Sequence, residues 1–81
     1  MGTTIDIDHR TLTRLADEQA MQDTRVIGQV GGWLIEVDLN GTRGRLVSKR
    51  GVPRLFGRFE TLAGYLKRVG IERFSVDAEH Y

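Results

Sequence analysis

Asn40-Gly41 constrains this chain more than any other pair of residues. Both tolerate the positive φ that a two-residue hairpin turn demands. Before it, Trp33, Ile35, Val37 and Leu39 alternate with Leu34, Glu36 and Asp38, which is the two-residue period of a strand. After it, residues 43–49 read as the returning strand. With Asn40 and Gly41 as the loop, Leu39 faces Thr42, Asp38 faces Arg43, Val37 faces Gly44 and Glu36 faces Arg45. Further along, Ile35 faces Leu46 and Leu34 faces Val47. The register sets acid against base twice on an open outer face and Ile35 against Leu46 on the inner one. Cross-strand pairs of this kind contribute roughly 0.2–1 kcal/mol each. Arg43 and Arg45 therefore have a structural task. Leu34 beside Val47 forms an apolar pair on the outer face, which suits either a dimer seam or a place beneath the first helix.

The rest of the chain falls around this hairpin. Residues 4–7 are β-like, within an N-terminal arm expected to be loose over residues 1–7. Asp8 suits the N-cap of a helix running to about Glu18, with a narrow apolar stripe of Leu12, Leu15 and Ala16. A strand is expected at 25–30, ending in the turn signal Gly31-Gly32. Gly51 and Pro53 break the chain after the hairpin, and residues 54–56 suit a short edge strand. A second helix is expected at 59–69, with Phe59, Leu62, Ala63, Leu66 and Val69 as its apolar stripe. Lys67 and Arg68 complement the dipole of its last turn. Gly70 takes the left-handed position after it, and Ile71 supplies the following apolar contact. A last strand is expected at 72–77 and a loose tail at 79–81. The order α-β-β-β-α-β implies a single α+β domain over residues 1–81, with a small, mainly antiparallel sheet and the second helix packed on one face. The expected core is Trp33, Ile35, Val37, Leu46, Phe56, Leu62, Leu66, Val69, Phe74 and Val76.

Eighty-one residues bury a modest core, so a homodimer is among the expected states. The absence of cysteine excludes disulfides, thiolate metal sites and a thiol nucleophile, and fits a cytoplasmic protein. No apolar run approaches the roughly 20 residues that span a bilayer, so no membrane partner is expected. Residues 1–8 carry acids where an export signal would carry bases.

The net charge of +1 conceals a partition. Residues 1–42 carry −4. In residues 43–73 the bases Arg43, Arg45, Lys49, Arg50, Arg54, Arg58, Lys67, Arg68 and Arg73 stand against Glu60 and Glu72, a net +7. Such separation suits a polyanion or an acidic protein partner.

Few residues offer catalytic chemistry. His9 and His80 lie near the ends, in no two-histidine metal spacing. Asp6, Asp8 and His9 could be drawn as a metal site, but an acidic arm leading into an N-cap explains them better. Ser48 and Ser75 lack a histidine partner in sequence context and a nucleophile elbow. Gly28 to Gly32 leads into a strand, whereas a dinucleotide motif must open a helix. The chain is expected to be neither an enzyme nor a cofactor protein. The candidate binding residues are Lys49, Arg50, Arg54 and Arg58 around Gly51-Val-Pro, extended by Lys67, Arg68 and Arg73. Basic side chains there can clamp phosphates or dock on an acidic protein.

Four segments resemble a known family: Val26-Ile-Gly-Gln-Val-Gly-Gly-Trp33, Arg54-Leu-Phe-Gly-Arg-Phe-Glu-Thr-Leu62, Tyr65-Leu-Lys-Arg-Val-Gly-Ile71 and Arg73-Phe-Ser-Val-Asp-Ala78. They look like the ParC-type partition-associated proteins of plasmids and integrative conjugative elements. The resemblance runs from the first helix to Ala78 and rests on core and turn residues. It implies a role in plasmid partition or stable inheritance and supplies no active site to carry over.

Overall fold

The computed structural model describes residues 4–79. In chain order they form β1 (Thr4–Ile7), α1 (His9–Asp17), β2 (Asp23–Gln29), β3 (Gly32–Leu39), β4 (Thr42–Leu46), α2 (Phe59–Val69) and β5 (Ser75–Asp77). The five strands make one sheet in the order β1-β4-β3-β2-β5. β2 pairs antiparallel with β3, and β3 with β4; β1 runs parallel to β4 and β5 parallel to β2. The class is α+β, as expected, and the sheet is mixed and not purely antiparallel, with an antiparallel centre of β4, β3 and β2. Each helix links two strands that run the same way, β1 to β2 and β4 to β5, as a crossover must. That places a parallel strand at each edge.

The hairpin forms as its turn dictates. Asn40 and Gly41 both adopt positive φ, 57° and 94°. Leu39–Thr42, Asp38–Arg43, Val37–Gly44 and Glu36–Arg45 pair in the expected register. β4 then stops at Leu46, short of the expected strand. The Val47 N–H donates to the Ile7 carbonyl at 2.8 Å, and the chain swings out around Gly51. It returns with Arg54 N–H donating to the Leu46 carbonyl at 3.0 Å. Phe56 and Trp33 exchange backbone bonds of 2.8 and 2.9 Å, and Val47 bridges Pro53. Residues 53–56 thus fill the space beside β3 that β4 leaves.

Residues 4–7 are an edge strand, not part of a loose arm; residues 1–3, 80 and 81 of the expected arms lie outside the described residues. Its β-like character at residues 4–7 was legible, but its pairing partner β4 lies far along the chain, so local sequence carried no sign of where it docks. Similarly, β5 occupies only three of the expected 72–77.

α1 begins at Asp8, whose carboxylate accepts the Thr11 N–H at 2.8 Å. That bond holds the Asp8 carboxyl below its usual pKa. α2 ends as expected: Ile71 N–H reaches the Leu66 carbonyl at 2.9 Å and Gly70 N–H the Lys67 carbonyl at 3.1 Å. Gly70 takes φ 102°, closing the helix by a left-handed cap.

Both helices pack on one face of the sheet. Leu12 of α1 and Leu62, Tyr65, Leu66 and Val69 of α2 close over Ile7, Val26, Trp33, Ile35, Val37, Leu46 and Phe56. α1 therefore packs on its own sheet. Of the expected core, Phe74 is partly buried, and Val76 is 48 % exposed because β5 is a short edge strand. Leu34 and Val47 are buried on the face away from the helices, flanked by Ile27 and Pro53, so the chain covers that pair itself and α1 does not. No helix among the described residues is long and apolar enough to cross a membrane.

Candidate anion-binding surface

The charged residues of the helix-free face sit in cross-strand rows. One row runs Asp6, Arg45, Glu36, Arg25 from β1 to β2, and the next runs Thr4, Arg43, Asp38, Asp23. Glu36 was expected on an open face but is only 3 % exposed. It lies on the central strand between two arginines, whose long side chains shield it. One of its oxygens accepts two bonds from Arg45, at 2.7 and 3.1 Å. Its other oxygen lies 3.4 Å from Arg43 Nε, an ion pair without hydrogen-bond geometry. Arg43 therefore leans diagonally to Glu36 and not to Asp38, the acid it faces. Asp38 spends its carboxylate on the Gly41 N–H at 2.9 Å, bracing the hairpin turn. Two of the nine bases in residues 43–73 are thus absorbed by one buried acid.

The other seven are exposed: Lys49, Arg50, Arg54, Arg58, Lys67, Arg68 and Arg73. Among the described residues, the ion pairs join Glu36 to Arg43 and Arg45, and none engages these seven. They do not form one patch. Lys49 lies in the loop after β4, lining a groove with Asp6, Asp8 and Thr11, so two carboxylates dilute its charge. Arg50 follows it, its N–H on the Ser48 hydroxyl at 3.3 Å. Arg58 precedes the first turn of α2 without capping it through its side chain. Arg73 lines a separate groove with Gln19, Asp23 and Phe74.

Arg54 and Arg68 do converge. They line a groove of about 480 Å³ with His9, Thr13, Tyr65 and Val69, and among the described residues no carboxylate lines it. Arg54 is held by two aromatic faces, its Cζ 4.8 Å from the Phe56 ring centroid and 4.8 Å from that of Tyr65. Such contacts contribute about 0.5–1 kcal/mol each at exposed sites. Arg68 extends back along α2, its guanidinium 4.0 Å from where a Cβ on Gly64 would lie. Tyr65 belongs to the core with its ring 5.3 Å from Phe56, and its hydroxyl lies 2.8 Å from His9 Nδ1. Burial pushes the Tyr65 phenol above its ordinary pKa, against the opposing pull of Arg54 and Arg68. The hydroxyl is therefore protonated at neutral pH.

His9 and Tyr65 were not among the sequence candidates. They lie 56 residues apart, and no local spacing links them. Among the described residues no three His, Asp or Glu side chains gather as a metal site would require, and Asp6, Asp8 and His9 form no such group.

No protein-family model, curated protein or solved structure matches the chain.

Proposed function

We propose that this chain is a non-enzymatic accessory factor in the partition or stable maintenance of a plasmid or mobile element, acting in the cytoplasm by binding. Its preferred ligand is DNA, held weakly through the phosphate backbone. One observation carries the binding reading: among the described residues seven exposed bases have no acidic partner, whereas Arg43 and Arg45 do. Unpaired surface bases attract phosphates and release their counterions. The genetic setting comes from the resemblance of residues 26–33, 54–62, 65–71 and 73–78 to the partition-associated family.

The test is duplex affinity against salt. Contacts to about three phosphates give a logarithmic slope near −3, and Arg54→Glu with Arg68→Glu weakens binding most at low salt. Affinity that is absent at low salt, or indifferent to salt, defeats the DNA form of the proposal.

A second reading is a protein-interaction module that docks its basic face on an acidic partner. Val52 and Leu55 favour it, because these exposed apolar residues alternate with Arg50 and Arg54. Mixed apolar and basic surface suits a protein partner better than a phosphate backbone. A homodimer belongs to the same reading. Sedimentation of the protein alone, and with acidic polypeptide, separates these states.

A further inference from the structure

The groove between α1, α2 and residues 53–56 contains more than two arginines. Its polar atoms are the guanidiniums of Arg54 and Arg68, the His9 imidazole, the Tyr65 hydroxyl and the Thr13 hydroxyl. Thr13 Oγ1 donates its one proton to the His9 carbonyl at 2.9 Å, so it keeps no donor for an anion. Tyr65 is 4 % exposed, yet its oxygen meets His9 at the groove wall. The charged and titratable groups around His9 are Asp8 and Arg10 beside it in sequence, Tyr65 and Arg68 on α2, and Arg54 on the returning segment.

We propose that this groove is a discrete phosphodiester site and that it takes up a proton at His9 when it binds. The inference rests on the DNA reading above and deepens it. In the neutral tautomer that carries its proton on Nε2, Nδ1 accepts the Tyr65 hydroxyl proton. A proton from solvent makes both ring nitrogens donors, so the Tyr65 bond reverses and the phenol oxygen becomes the acceptor. The phenol hydrogen is then free to turn toward the groove. One proton thereby adds a positive charge beside two guanidiniums and releases a neutral donor. Without a ligand, three positive charges crowd one groove. A phosphodiester between them offers anionic oxygens to these donors and offsets part of that repulsion. Anion binding and protonation are thus linked: each favours the other.

The probe is a short arbitrary DNA duplex, whose phosphodiesters stay anionic throughout the pH range used. Wild-type affinity at low salt rises roughly tenfold from pH 7.5 to 5.5, the gain of one charge-assisted contact. His9→Gln flattens this dependence. His80→Gln, which removes the other histidine of the sequence, leaves it in place. In wild-type protein, saturation with duplex raises the titration midpoint of the His9 ring signals, a readout that needs no variant. Affinity independent of pH, a dependence that persists in His9→Gln, or an unmoved midpoint overturns the proton-coupled site while leaving DNA binding intact. Failure to bind at any pH overturns both. Tighter pH-coupled binding to poly-glutamate than to duplex overturns the phosphodiester assignment in favour of an acidic protein.

Discussion

Glu36 shows how far a residue's fate depends on its neighbours across the sheet. Strand alternation places it on the face away from Trp33 and Ile35, and that is where it lies. Alternation does not reveal that it is 3 % exposed. Burial there follows from strand order, which puts β3 at the centre with Arg45 on one side and Arg25 on the other. The arginines are partly exposed and regain water when the acid is lost, so the cost of removing it is moderate. Glu36→Ala is expected to destabilise the chain by about 1–3 kcal/mol, chiefly through lost charged hydrogen bonds. Glu36→Gln, which keeps the shape, is expected to cost less. Urea unfolding of the two variants measures both; equal stability to wild type would show that the ion pairs contribute nothing. His9 was illegible for a related reason. Its partner Tyr65 comes from the other helix, and only the packed core brings them together.

At the scale of elements, two glycines separate local propensity from long-range packing. Gly64 sits within α2 with nothing closer than the Arg68 guanidinium at 4.0 Å from an added Cβ. Gly64→Ala is expected to stabilise the helix by about 0.5–1 kcal/mol, the usual penalty of glycine in a helix interior. Gly32 opens β3 at φ 152°, and an added Cβ would collide with the Phe56 carbonyl oxygen. Gly32→Ala is expected to break the Trp33–Phe56 bridge and destabilise by several times that amount. Thermal melts of the two variants should move in opposite directions, and a shared direction would refute this reading of the returning segment. The same contrast explains what the sequence made legible. The hairpin and α2 were readable because turn, register and caps lie within a few residues of one another. β1 and the segment 53–56 were legible as extended chain but not in their pairing, because their partners lie far along the chain. The candidate bases were all found as exposed residues, but which of them share a groove depends on the fold: Arg54 and Arg68 do, while Lys49 and Arg73 line others.

For the whole molecule, the charge partition visible in the sequence is only partly neutralised by folding. Glu36 takes two bases, and Asp6 and Asp8 stand near Lys49, but among the described residues no acid lines the groove at Arg54 and Arg68. An anion should therefore seek that groove first, with the remaining bases adding a diffuse attraction that salt removes. The direct test is an NMR titration of labelled protein with a short duplex at low and at moderate salt. Shifts are expected to concentrate at His9, Arg54, Tyr65 and Arg68, with weaker shifts at Lys49, Arg50 and Arg58, and both sets fade with salt. A silent titration at low salt, or shifts confined to residues remote from these bases, would contradict it.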